Sequence, residues 1–208
     1  MYLNCHTYYS MRFGTFSEGE LLELAVENGV ESLALTDINN TSACLNFIRR
    51  SNDFNVKPIV GIDFRNGAKQ LFVGIARNNQ GFFELNRYLS IHSHEKKPIP
   101  EKAPRFENTY IIYPFEQVMK LEMKHFESNE FIGVSIEDLK RLPFTSNRKM
   151  EDRLVVQQQV TIRNKRDFNA HRLLRAIDKN TLLSKLETSE ECNHNDRMLP
   201  LDKLKETY

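Results

Sequence analysis

Two hydrophobic rhythms alternate along the first half of the chain. Short runs that are apolar on both faces, "MYLNCH" (1–6), "SLALT" (32–36), "VKPIVGI" (56–62) and "QLFVGIA" (70–76), have the length of buried strands. Other stretches repeat apolar residues at helical spacing. "SEGELLELAVENG" (17–29) opens on Ser17 with Glu20 three residues on, a capping box, and stops at Gly29. Its predicted buried face is Leu21, Leu22, Ala25 and Val26. "SACLNFIRRS" (42–51) sets Cys44, Leu45 and Ile48 on one side, and "QGFFELNRYLS" (80–90) reads as a further helix. Doubly apolar strands alternating with helices predict an α/β fold with a parallel sheet covered by helices.

The second half is less regular. Residues 95–108, "EKKPIPEKAPRFEN", contain three prolines and several charges and predict a loop. Strands are predicted over 109–113, 130–134 and 153–162, and helices over 115–123, 135–142 and 167–178. A last helix begins near residue 200 and runs to the end without a stop signal, which suggests a piece of a longer chain.

Composition narrows the class. A chain of 208 residues with 40% hydrophobic and 27% charged positions suits one domain with a real core. A net charge of +1 gives no strong overall field for nucleic acid. Cys5, Cys44 and Cys192 are far apart, with no CxxC, which argues against a disulfide framework or a thiolate zinc site. No secretory signal and no membrane-length apolar run is present, so a cytoplasmic protein is expected.

Candidate chemistry gathers where strands end. His6, Asp37 and Asp63 each follow a predicted strand, and in parallel α/β folds such positions converge on one cavity. One imidazole and two carboxylates suit zinc, manganese or iron. The alternative is structural: an aspartate after a strand caps a helix or closes a turn. His92 and His94 form an HxH on a helix, where residues two apart face different ways. His125 and His194 fall in a polar helix end and a loop. A basic segment with Arg163, Lys165, Arg166, Arg172 and Arg175 is a candidate for phosphate contacts on DNA, against a solvated face whose acids lie elsewhere. There is no glycine-rich phosphate loop and no GxSxG.

The stretches "NCHTYYSMRFG", "LALTDINN", "KPIVGIDF" and "ARNNQGFFELNRYLS" together resemble the PHP (polymerase and histidinol phosphatase) domain at the N-terminus of bacterial DNA polymerase III alpha subunits. The likeness continues more weakly through "RLVVQQQVTIRNKRDFNAHRLLRAI" to include Asp167, Ala170, His171, Leu174 and Ile177. It implies a distorted (β/α)7 TIM-like barrel over residues 1–208. It also implies a metal site, of which His6, Asp37 and Asp63 are the remnant ligands. Elsewhere the expected ligands are replaced: Asn4 and Ile38 stand for histidines, a fourth-strand histidine falls near Leu71, and a late acid–imidazole pair falls on Gln159 and Thr161. Around Tyr113 to Phe115 a further ligand is missing. Low occupancy is therefore expected, with a zinc or manganese ion at the remnant site as the alternative.

Two functions of different class follow from the resemblance. In one, the domain is a catalytically inactive scaffold in a DNA-directed DNA polymerase, a nucleotidyltransferase of replication or repair. The magnesium-dependent chemistry then lies elsewhere in the full chain, with an exonuclease subunit and a sliding clamp as partners. The degenerate site also resembles an error-prone type of paralogue. In the other, it is a free-standing metal-dependent phosphoesterase or 3′–5′ exonuclease.

Overall fold

The computed structural model describes residues 1–145 and 150–208. Among these residues eight strands follow one another: β1 (Tyr2–Cys5), β2 (Ser32–Leu35), β3 (Lys57–Asn66), β4 (Lys69–Ala76), β5 (Thr109–Pro114), β6 (Glu130–Val134), β7 (Leu154–Val156) and β8 (Gln159–Val160). They hydrogen-bond in the order β7-β6-β5-β4-β3-β2-β1-β8. β7 and β8 stand at opposite ends of that order, yet only Gln157 and Gln158 separate them in the chain. Three residue steps reach only about 10 Å. The sheet is therefore rolled until its edges meet, and the chain itself closes the ring. β7 pairs with β6 and β8 with β1, both parallel. The single strand expected over 153–162 is one stave that changes partner at the two glutamines, which gives the seven staves of a distorted (β/α)7 barrel.

One stave departs from the expected parallel sheet. β4 runs antiparallel to both β3 and β5. Only Gly67 and Ala68 join β3 to β4, and so short a connection permits only a hairpin. Gly67 supplies the left-handed backbone (φ 64°) that this turn needs.

Among the described residues seven α-helices complete the fold: α1 (Glu18–Glu27), α2 (Cys44–Ser51), α3 (Asn79–Glu95), α4 (Phe115–Lys120), α5 (Ile136–Leu139), α6 (Lys165–Asp178) and α7 (Leu201–Thr207). The predicted capping box of α1 forms, with Ser17 and Glu20 serving each other's backbone N–H. Its buried face is Leu21, Leu22 and Ala25, whereas Val26 is 53% exposed. α2 turns differently from the expected face. Cys44 and Phe47 are buried, three apart on one side, while Leu45 and Ile48 are exposed. The loop at 95–108 is irregular and largely exposed, but Ile99, Ala103 and Phe106 turn inward and join the core outside the sheet.

The lumen has two layers. Where the parallel staves begin, it is filled by Ala34, Val73, Ile75 and Ile112, packed with Leu3, Ile59, Phe131 and Val155. Every stave contributes to this apolar plug. Above it, towards the carboxyl ends, the inward residues are polar and buried: Asn4, His6, Thr36, Asp63, Arg65 and Thr161. Among the described residues no helix is long and apolar enough to cross a membrane.

Candidate functional site

The polar layer is organised around one carboxylate oxygen. Asp63 lies inside β3 rather than at its end, fully buried and facing the lumen. Its Oδ2 accepts from His6 Nε2 (2.9 Å), from Arg65 Nε (3.0 Å) and Nη2 (2.7 Å), from Gln70 Nε2 (2.9 Å) and from Asn4 Nδ2 (3.4 Å). Its Oδ1 is buried and has no hydrogen-bond partner among the described residues. Burial pushes the Asp63 carboxyl up, but the Arg65 guanidinium and the His6 hydrogen bond outweigh it and hold the group down at about 2.

Arg65 is 5% exposed and sits two residues from Asp63, so on a strand both side chains face the lumen. Besides Asp63 it reaches Gln159 Oε1 (3.2 Å) and the Ala68 carbonyl (3.4 Å), and its guanidinium lies 4.9 Å from the Phe13 ring centre. A bulge brings in the next partner. Phe64 pairs with Phe72 and Arg65 with Gln70, which leaves Leu71 as an extra residue on β4. Phe72 and Leu71 both join the outer core, and Gln70 turns inward to Asp63. The Gln70 side-chain oxygen Oε1 in turn accepts from Gln157 Nε2 (3.2 Å) and Gln159 Nε2 (3.4 Å). Gln157 and Gln159 at the ring closure are thus tied to β4, while Gln158 between them donates to the Asn195 carbonyl.

His6, the residue after β1, spans the lumen. Its Nδ1 meets Thr161 Oγ1 at 2.9 Å and its Nε2 donates to Asp63. Asp37 has a separate job. Its Oδ1 accepts from the Thr7 N–H (2.6 Å) and Ser10 Oγ (2.7 Å), and its Oδ2 from Thr7 Oγ1 (2.8 Å). Burial raises the Asp37 carboxyl despite these bonds. Asp37 therefore anchors the loop at 7–14, which carries Phe13 over Arg65. The same loop is held from the other side by His171. Its Nε2 accepts from the Cys192 N–H (2.8 Å), which fixes Nδ1–H as the donor to the Phe13 carbonyl (2.7 Å). Ile38, in a histidine's expected place, packs against Phe13, Ile162, Phe168 and Cys192.

So the structure joins His6 to Asp63 and assigns Asp37 to the loop. Among the described residues no three His, Cys, Asp or Glu side chains stand together as a metal site. The cleft above, about 700 Å³, is bordered by Arg65, Gln70, Gln157, Gln159, Lys120 and Asp196. Burial pushes the Asp196 carboxyl up to about 7, against the Asn193 N–H and the Arg65 charge. Of the basic candidates, Arg163 pairs with Glu20 and Asp167, Arg172 with Glu191, and Arg175 with Asp178 and Glu190. Their charge is largely spent inside the fold. Lys165 and Arg166 lie in the first turn of α6.

Sequence reasoning missed Arg65 and Gln70. The signal for Arg65 was present, because i and i+2 share a strand face. Placing the strand end at Ile62 hid it. Gln70 had no local signal, since the bulge arises from pairing with β3.

The chain belongs to the PHP-domain family, whose model matches residues 3–138. It is 33% identical over 88 residues to a DNA polymerase III subunit alpha of Ureaplasma parvum, covering 42% of this chain and 9% of that protein. It is 31% identical over 117 residues to the DNA polymerase III subunit alpha of Staphylococcus aureus, covering 53% of this chain and 11% of that one. The chain thus matches about a tenth of the length of these curated relatives. A solved amidohydrolase structure from Chromobacterium violaceum aligns with a TM-score of 0.43 at 10% identity, over 72% of this chain and 84% of that one.

Proposed function

We propose that this chain is the PHP scaffold domain of a DNA polymerase of the III alpha type, acting in replication or repair, and that it performs no metal-dependent hydrolysis itself. The observation that carries the reading is the state of Asp63. A ligand carboxylate in a hydrolytic centre needs free lone pairs directed at a divalent ion. Here one oxygen is saturated by five donors, two of them from a cationic guanidinium 2.7–3.0 Å away. Of the two Asp63 oxygens, Oδ1 is the one without a partner among the described residues. His6 is committed to Asp63 and Thr161, and both Asp37 oxygens to the loop. This donor set does not fit zinc, manganese or iron, and a nearby guanidinium repels any of them. Nucleotidyl transfer and its magnesium belong, on this reading, to other parts of a full polymerase. An exonuclease subunit and a sliding clamp are the partners to look for.

The test is hydrolysis of a phosphomonoester and of a 3′-mismatched primer, each with manganese or zinc and with a chelator, alongside co-purification with the cell's polymerase and exonuclease subunits. The expected result is no chelator-sensitive turnover and co-purification with polymerase components. Chelator-sensitive turnover that disappears in Asp63→Asn would establish the free-standing phosphoesterase instead.

A further inference from the structure

We propose that Arg65 is the resident cation of this barrel: its guanidinium neutralises the buried Asp63 carboxylate and ties β3 across the lumen to Gln159 on the closing stave, the work that a bound metal ion does in a metal-centred lumen. The inference rests on the metal-free reading above, because a fixed guanidinium and a divalent ion compete for the same carboxylate.

Three observations carry it. First, Asp63 is fully buried, and a lone carboxylate there is costly unless a positive charge faces it. Arg65 is that charge, itself buried, with two N–H groups on Oδ2. Second, the guanidinium spans as a metal spans. From its base on β3 it reaches Asp63 beside it, the Ala68 carbonyl in the β3–β4 turn and Gln159 on β8. Its planar fork of donors suits several acceptors at once. Third, the surroundings are shaped for it. Phe13 lies over the guanidinium on a loop clamped by Asp37 and His171, and Gln159 presents its carbonyl oxygen to Arg65 and its amide to Gln70.

The test compares thermal unfolding of the intact chain with Arg65→Met, Asp63→Asn and the double variant, together with elemental analysis of the wild type. Breaking a buried pair from one side should lower the Tm by roughly 10 °C. Removing both charges should recover more than half of that loss, and the wild type should carry no stoichiometric metal. Should Arg65→Met not fold, the double variant decides: it must fold and melt within a few degrees of the wild type. A double variant no more stable than Arg65→Met, or one that does not fold, overturns the inference and leaves the metal-free reading intact. A stoichiometric ion in the wild type that is lost in Asp63→Asn overturns both.

Discussion

His171 shows how a histidine far from any chemistry controls the geometry of the site. It is fully buried, neutral by its hydrogen bonds, and joins the Phe13 loop to the Cys192 segment. Burial lowers its pKa from 6.5 to about 4, with the Arg175 charge adding to the shift against the Phe13 hydrogen bond. Between those values the unfolded chain binds a proton that the folded chain refuses. Stability contributed by this residue is therefore complete above pH 6.5 and is lost as pH falls towards 4, by at most about 3 kcal/mol. Urea unfolding across that range should show the decline, and His171→Gln should flatten it while lowering stability at pH 7. An unchanged slope in the variant would assign the decline to other groups. Asp37 makes the complementary point. A residue type suited to metal binding serves here as a triple acceptor for backbone and hydroxyl groups.

At the scale of elements, the β3–β4 hairpin decides what the lumen contains. Its turn fixes β4 as antiparallel, and its bulge puts Gln70, not Leu71, beside Asp63. Gly67 holds a left-handed conformation that costs a side-chain-bearing residue about 1–2 kcal/mol, more for a β-branched one. Gly67→Val should therefore lower unfolding free energy by at least about 1 kcal/mol in a urea titration. Nothing crowds that position, so a larger loss would point to the turn's register rather than to a clash. The capping box of α1, by contrast, was fully legible as Ser17 and Glu20, because both partners lie within one helical turn. The faces of α2 were not. Cys44, Leu45 and Ile48 are all apolar, and only packing against α1 and β3 selects Cys44 and Phe47 for burial.

For the whole molecule, the ring closes through residues beyond the family match. That match ends at residue 138, but β8 pairs with β1 and β7 with β6. A chain cut after Thr145 loses both strands and α6, and so exposes β1 and β6 as bare edges. It also loses Thr161, Gln157 and Gln159 from the lumen. Such a truncation is expected to aggregate and to unfold without a cooperative transition, as read by gel filtration and circular dichroism during urea unfolding. A soluble, cooperative 1–145 fragment would show that closure is dispensable.

The sequence by itself determined the elements, the α/β class, the barrel family and two members of the central cluster, His6 and Asp63. Those are properties of neighbouring residues: alternation, caps, turn residues and the short motifs around each strand. Tertiary structure alone decided the rest. The direction of β4, the inward turn of Gln70, the clamp on Asp37 and the meeting of His6 with Thr161, 155 residues away, depend on which strands lie side by side. A residue's type fixes what it can bond to, but only the closed barrel fixes which partner comes within 3 Å.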